Sequence, residues 1–322
     1  MRSEVQAIFG RPDGSTRLVG VEAMAGDAST RRFHRCRLDE GQDVVVMDYG
    51  TPFKGETDDL RLQRIFVDAD LPCAEVLSVH PDPGCVVWAD LGQLTLEASL
   101  RRSTRRPDWL AAVQLAARIA DQGTPVLAGS DLRNGPRLDG TRFRREMDFF
   151  VTHFIGGHLN VQPPAAILTP LLHRLADEAG RCPQPVLCHR DFHSRNIVLS
   201  DGGDLALVDL QDACWGPDSY DLASWLYDAY FDRPDDWVSV GIETFVRDRL
   251  DADEVPRFQE RLEPVAAQRM LKALGTFGFQ AASRGEPRYL EGVPRTVSRL
   301  RTLLPRFPLG EEILAILDPI FP

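Results

Sequence analysis

The chain has 322 residues, 43% hydrophobic and 26% charged, which are ordinary values for a globular protein that can bury a full core. The net charge of −11 argues against non-specific nucleic-acid binding, although one local cluster of cations would still suffice for a nucleotide. No apolar run approaches the roughly 18 residues that span a bilayer, and no signal peptide is evident at Met1–Gln6. The six scattered cysteines have neither zinc-site nor disulfide-framework spacing, so we expect a reducing, cytoplasmic setting.

The first part of the chain is rich in predicted strands. Arg31–Leu38 alternates between polar and apolar residues, and Asp43–Met47 and Gly84–Trp88 are runs rich in β-branched residues. Between them, Thr57–Ala69 has apolar residues at helical spacing. We therefore predict a small β-rich lobe with one helix over residues 1–91.

After residue 91 the spacing of apolar residues becomes helical. The predicted helices are Pro107–Asp121, Phe143–Phe154, Ser219–Tyr230 and Val265–Ala282. A larger, mostly helical lobe over residues 92–322 follows, which makes the fold class α+β with two lobes. A cleft between two lobes is where a nucleotide would bind.

The segment His189–Asn196 reads H-R-D-F-H-S-R-N, the H-R-D-x-x-x-x-N pattern of kinase-type phosphoryl transfer. Two apolar runs, Ile197–Leu199 and Leu205–Val208, flank a turn-rich stretch, which predicts a β-hairpin. The hairpin would bring Asn196 beside Asp209, and two such oxygen ligands suit Mg²⁺. Asp191 then remains available to accept a proton from an attacking hydroxyl.

The segment Leu187–Ile197 resembles the aminoglycoside phosphotransferase and choline kinase family, which has a His two residues after the catalytic Asp, as His193 is here. Gly216–Ala223 is similar to that family as well. Three further segments resemble a subgroup that phosphorylates the anomeric hydroxyl of N-acetylmuramate or N-acetylglucosamine in peptidoglycan recycling: Asp27–Phe33, Val46–Asp48 and Val208–Ala213.

The resemblance implies a bilobal protein-kinase-like fold and an enzyme that uses ATP and Mg²⁺ to phosphorylate a small hydroxylated acceptor, with no nucleic-acid or membrane partner. An aminoglycoside, choline or other small-alcohol kinase of the same fold is the alternative acceptor class. A catalytically silent nucleotide-binding pseudokinase is the alternative from another class, because one phosphate-binding residue is missing.

That residue is a lysine, which kinase-like folds carry on the third strand to hold the nucleotide phosphates. Met47 stands in its place, so we consider Arg31 and Arg32 as the phosphate cations, or else Lys54 or Arg195. The loop containing Ser29 could cover the phosphates with backbone N–H groups or be a plain turn. The backbone of the connector, at Ala89 and Leu91, should meet the adenine edge.

Two groups of residues complete the predicted site. For acceptor binding, Gln211 and Asp212 directly follow the metal-binding Asp, and Glu146 and His153 either line the same pocket or serve as ordinary helix positions. The residues expected to support the catalytic loop are His189, His193 and Asp221, the last as a buried acceptor of backbone N–H groups.

Overall fold

A computed structural model of the chain describes residues 8–9, 18–24, 31–39, 41, 43–200 and 202–322. Within these ranges no helix is both long and apolar enough to cross a membrane. The N-terminal part is an antiparallel sheet of five strands in the order β1-β2-β3-β5-β4. Its strands are β1 (Leu18–Met24), β2 (Arg32–Leu38), β3 (Asp43–Asp48), β4 (Val76–His80) and β5 (Cys85–Ala89).

Both faces of this sheet bury apolar side chains. One face holds Cys36, Val44 and Val87, and the other holds Met47 beside Leu60 of helix α1 (Asp58–Asp68). The predicted strands β2, β3 and β5 and the predicted helix α1 are confirmed to within about a residue at most ends.

Strands β1 and β4 were not predicted from the sequence. Both lie at the edges of the sheet, and apolar side chains of each are exposed there, including Val19 and Leu77. Because an edge strand need not bury a whole face, its residues do not show the alternation on which the sequence prediction depends.

The rest of the chain is mainly helical, as predicted. The longer helices are α2 (Leu96–Arg102), α3 (Arg106–Arg118), α4 (Thr124–Gly129), α5 (Gly140–Phe150), α6 (Ala165–Ala179), α7 (Tyr220–Leu226), α8 (Trp237–Val246), α9 (Val255–Arg284), α10 (Val293–Leu303) and α11 (Pro308–Leu317). Helix α5 starts after Asp139, whose carboxylate caps it by accepting the Arg142 N–H at 2.9 Å. The boundary between the lobes at residue 91 stays a prediction.

Helix α9 is longer than the sequence suggested. The predicted helix began at Val265, whereas the helix starts at Val255 and runs through Pro264, a residue type that usually interrupts a helix. Two glycines let α9 approach the helical segment that contains α5 very closely. A Cβ on Gly275 would lie 2.9 Å from the Phe150 Cα, and one on Gly278 would lie 2.5 Å from the His153 carbonyl oxygen. This close packing fixes α9 against the segment that contains Phe150 and His153.

Two short pairs of strands flank the predicted catalytic segment, His189–Asn196. Strand β6 (Val186–Cys188) pairs with β9 (Cys214–Gly216), and β7 (Ile197–Leu199) pairs with β8 (Leu205–Leu207). The predicted hairpin is therefore confirmed, with Ile197 opposite Leu207. Its buried residues join the main core, so the loop residues between β6 and β7 are held at both ends.

Candidate active site

The backbone of the predicted catalytic loop, His189–Asn196, is held by a buried carboxylate. Asp221, on helix α7, is 5% exposed and accepts the N–H groups of His189 at 2.6 Å and Arg190 at 3.0 Å. Arg190 has a φ of 77°, a left-handed conformation that costs a non-glycine residue energy. Asp221 is the contact that holds this strained turn in place. Burial raises the pKa of Asp221.

Two histidines line the inside of the same loop. The Nε2 of His189 lies 3.0 Å from the Val208 carbonyl oxygen, which ties the loop to the residue before Asp209. His193 lies with its ring edge-on to Tyr230, at 5.1 Å between centroids. Burial lowers the pKa of both histidines, so both are neutral near neutral pH and act by packing and hydrogen bonding.

A second buried carboxylate, Asp228, was not singled out from the sequence. It accepts the N–H of Ser194 at 2.7 Å and that of Tyr230 at 2.7 Å. It therefore holds the second half of the loop as Asp221 holds the first. Asp228 follows helix α7 in the chain, and nothing local distinguishes it from a surface Asp.

The side chains of Asn196 and Asp209 lie close together, as expected from the predicted hairpin. The Nδ2 of Asn196 lies 3.4 Å from Oδ2 of Asp209 and donates to the Asp191 carbonyl oxygen at 3.0 Å. Asp209 has a φ of 67°, again in the left-handed region, and its other oxygen accepts a hydrogen bond from Gln211. Burial raises the pKa of Asp209, so a cation at this position would stabilise its ionised form.

Asp191 faces cations from helix α9 that the sequence analysis missed. Lys272 Nζ lies 3.2 Å and Arg269 Nη1 lies 3.9 Å from Oδ1 of Asp191. Burial alone would raise the pKa of Asp191, but Lys272, Arg269 and Arg190 outweigh it and hold that pKa well below the ordinary carboxyl range. The only available signal in the sequence was a lysine inside the otherwise apolar run Met270–Leu274.

The predicted acceptor residues lie in different surroundings. Asp212 forms an ion pair with Arg190, and Gln211 lies beside Asp209. Glu146 accepts a hydrogen bond of 2.7 Å from Gln268, the residue before Arg269, so it belongs to the same polar cluster. His153 is not brought to this cluster, because its ring packs between the rings of Phe149 and Phe279.

A cavity of about 660 Å³ opens between the sheet and the hairpin. Ala89 and Leu91 of the connector line it at one end, and Asn196 and Asp209 line it at the other. The connector is braced from β2, since Arg35 Nη2 donates to Asp90 Oδ1 and to the Gly92 carbonyl oxygen, both at 3.0 Å. The predicted connector and the predicted metal ligands therefore line the same cavity.

Three of the candidate phosphate cations are not among the described residues that line this cavity: Arg31, Arg32 and Lys54. Arg31 Nη2 lies 2.9 Å from Oδ1 of Asp59, a buried residue of α1 that lines the cavity and also accepts a hydrogen bond from Tyr49. Arg32 begins β2 opposite Asp48 and is exposed, and Lys54 is exposed as well.

Of the two other predicted phosphate-binding residues, Arg195 and Ser29, only Arg195 lies in the described part of the chain. Arg195 is bound to Glu97 at 2.8 Å and lines the cavity. Ser29 and the rest of its predicted loop lie outside the described residues.

The profile of a phosphotransferase enzyme family matches residues 20–260, about three quarters of the chain. The chain belongs to this family. An N-acetylmuramate/N-acetylglucosamine kinase of Pseudomonas aeruginosa is 30% identical in an alignment of 307 positions, which covers 91% of this chain and 87% of that protein. The kinase of the same name from Neisseria meningitidis is 29% identical in an alignment of 312 positions, which covers 91% of this chain and 88% of that protein.

Solved structures of a kinase and a phosphotransferase have the same fold. An ethanolamine kinase from Plasmodium vivax superposes with a TM-score of 0.63 at 13% identity, over 91% of this chain and 85% of that one. A thermostable mutant of an aminoglycoside phosphotransferase, in a ternary complex with ADP and hygromycin B, gives 0.54 at 17% identity, over 93% and 97%. The predicted kinase-like fold is confirmed, and the chain is a phosphotransferase.

Proposed function

We propose that this protein is an ATP- and Mg²⁺-dependent kinase that phosphorylates the anomeric hydroxyl of N-acetylmuramate or N-acetylglucosamine. The observation that carries the proposal is a charged Asp191 beside the Asn196–Asp209 pair, in a chain whose 30% identical relative bears the name of such a kinase. A role in reusing cell-wall amino sugars follows from the same relatives' substrates and stays a prediction.

Asp191 is the proposed proton acceptor. The attacking hydroxyl oxygen forms a bond to the γ-phosphorus while the bond from that phosphorus to the β,γ-bridging oxygen breaks, and the hydroxyl proton passes to Asp191. Phosphoryl transfer mainly requires position and charge stabilisation from a protein. Since Asp221 and Asp228 fix the loop on both sides, Asp191 is held where an acceptor hydroxyl can reach it.

The Asn196 and Asp209 side chains fit Mg²⁺. Mg²⁺ is usually bound by one or two carboxylates and completes its coordination with water and substrate phosphates. In the part of the chain that is described, no cluster of three or more His, Cys, Asp or Glu side chains offers a complete protein cage. When bound, Mg²⁺ would neutralise charge on the phosphate oxygens.

The missing strand lysine needs a substitute near the phosphates. We propose Arg31 for this role, because Asp59 holds its guanidinium at 2.9 Å from a buried position on α1. This pair couples a strand-side cation to the helix in the way that a strand lysine pairs with a helix glutamate in protein kinases. Ala89 and Leu91 would supply backbone contacts to the adenine, and Arg32 and Ser29 stay as further candidates.

For the acceptor, Gln211, Asp212 and Glu146 are the proposed hydrogen-bonding partners of the sugar hydroxyls. A hemiacetal hydroxyl is more acidic than an ordinary alcohol, so its proton passes more readily to a carboxylate whose pKa is low. The shape of the pocket determines which hydroxyl reacts, because that hydroxyl must lie in line with the γ-phosphate.

The test measures ADP release with a panel of acceptors. We expect turnover of N-acetylglucosamine or N-acetylmuramate, and none of the methyl glycoside of N-acetylglucosamine, in which the anomeric oxygen is blocked. Faster turnover of that glycoside, kanamycin or choline would overturn the acceptor assignment and favour another small-alcohol kinase. Nucleotide binding without turnover of any acceptor would favour the pseudokinase.

A further inference from the structure

Two cations of helix α9, Lys272 and Arg269, contact the carboxylate of Asp191. Lys272 and Arg269 are three positions apart, so they lie on one face of the helix. Their side chains are only 16% and 11% exposed, and both point at the same carboxylate oxygen of Asp191. Arg269 also donates to the Tyr220 hydroxyl at 2.9 Å, which fixes its guanidinium.

The cluster around Asp191 is rich in buried polar groups. Arg142 pairs with Glu146, which also accepts a hydrogen bond from Gln268, and Arg190 pairs with Asp212. Nε of Arg269 and Oε1 of Gln268 are buried and, among the described residues, have no hydrogen-bond partner. Buried polar groups of this kind are usually satisfied by a ligand or water.

Lys272 and Arg269 do not line the nucleotide cavity. None of the described residues that line that cavity belongs to helix α9, although Asn196 and Asp209 do line it. An anion bound by these two cations would therefore lie outside that cavity and would come with the acceptor.

We propose that Lys272, supported by Arg269, forms an anion subsite that binds the carboxylate of an acidic acceptor sugar. This inference rests on the proposed function and names the feature of the acceptor that the pocket selects. The lactyl carboxylate of N-acetylmuramate is such a group. It is attached at C3, on the same small ring as the reacting C1 hydroxyl, so a side chain that touches Asp191 can reach it. Lys272 then exchanges part of its contact with Asp191 for the substrate carboxylate.

The choice of lysine at this position is unusual for this chain. Lys54 and Lys272 are its only lysines, among 37 Lys and Arg residues in total. An ammonium group is a compact point charge with rotatable donors, whereas a guanidinium is a rigid planar fork. A lysine can therefore turn from Asp191 to a second carboxylate without moving its stem.

The test compares N-acetylmuramate with its methyl ester, which keeps the sugar and removes only the charge. With the wild-type protein we expect kcat/KM for the acid to exceed that for the ester by roughly 10- to 100-fold, the range of a charge-assisted contact. Lys272→Met should abolish this preference and Lys272→Arg should retain part of it. Arg257→Met, which removes an exposed charge from the same helix, should leave the preference unchanged.

A preference for the acid of less than about twofold in the wild-type protein, with both sugars turned over, would overturn the subsite and leave the proposed function standing. An equal loss on both sugars in Lys272→Met would also overturn it, since Lys272 would then serve only Asp191. Failure of every sugar to be phosphorylated would remove both proposals.

A direct measurement does not depend on any variant being active. Isotope-labelled lysine gives only two side-chain signals, and Lys272→Arg identifies the one from Lys272. Adding N-acetylmuramate should shift the Lys272 signal and raise the pKa of its ammonium, while the Lys54 signal stays in place. If the acid and its ester shift the Lys272 signal equally, the carboxylate does not bind there.

Discussion

The contact between Asp191 and Lys272 can be tested by a double-mutant cycle on stability. At 3.2 Å, two unit charges interact by about 5 kcal/mol at an effective dielectric constant of 20. Loss of hydration offsets much of this, and both side chains are only partly covered, so we expect a coupling free energy of about 1–3 kcal/mol. Asp191→Asn and Lys272→Met should each lower the free energy of unfolding, and the double variant should be more stable than the sum of the two losses predicts.

The measurement is urea unfolding of the four proteins near neutral pH, followed by fluorescence of the buried tryptophans. Additive losses, with a coupling below about 0.3 kcal/mol, would refute the ion pair as described. The same Asp191→Asn protein should lose roughly 10²–10⁴-fold in kcat while still binding nucleotide, since a positioned base contributes about that much. Near wild-type turnover would show that Asp191 is not the proton acceptor.

Three further predictions follow from the same structure. Burial would raise the pKa of Asp191, but Lys272, Arg269 and Arg190 lower it, so Asp191 stays ionised at low pH. We therefore expect kcat to stay constant as the pH falls below the ordinary pKa of a carboxyl group. Lys272→Met should raise the pH at which kcat begins to fall. Asp221→Ala leaves two buried N–H groups without an acceptor and should lower the free energy of unfolding by about 2–4 kcal/mol in urea, with Asp221→Asn losing less. Gly278→Ala should lower the thermal midpoint markedly, whereas Gly129→Ala, whose added Cβ meets nothing within 4 Å, should not.

The parts of the site that could be predicted are local in sequence. Asn196 and Asp209 are joined by one short hairpin, so the strand pattern alone predicts that they meet. Asp221 could be predicted to bind the backbone of the loop, because its segment Gly216–Ala223 resembles the aminoglycoside phosphotransferase and choline kinase family. It does accept two loop N–H groups.

The residues that were missed depend on packing between distant elements. Lys272 and Asp191 are 81 residues apart in the chain, and only the packing of helix α9 near the loop brings them together. Asp59 reaches Arg31 only because α1 lies against the sheet. No periodicity in a single sequence contains that information, since a buried charged residue in a helix looks like a solvated one until its partner is known.

The cations of helix α9 lie in a different part of the sequence from the residues proposed to transfer phosphate. The family profile ends at residue 260, before Arg269 and Lys272, whereas Asp191, Asn196 and Asp209 all lie within it. On the proposals above, the groups that transfer phosphate lie within the matched range, whereas the two cations that would bind the acceptor's carboxylate lie beyond it. An acceptor of different charge could then be accommodated by substitutions on one face of one helix, while the catalytic loop and its two supporting carboxylates remain as they are. Engineering of this enzyme toward neutral or differently charged sugars would start on that face.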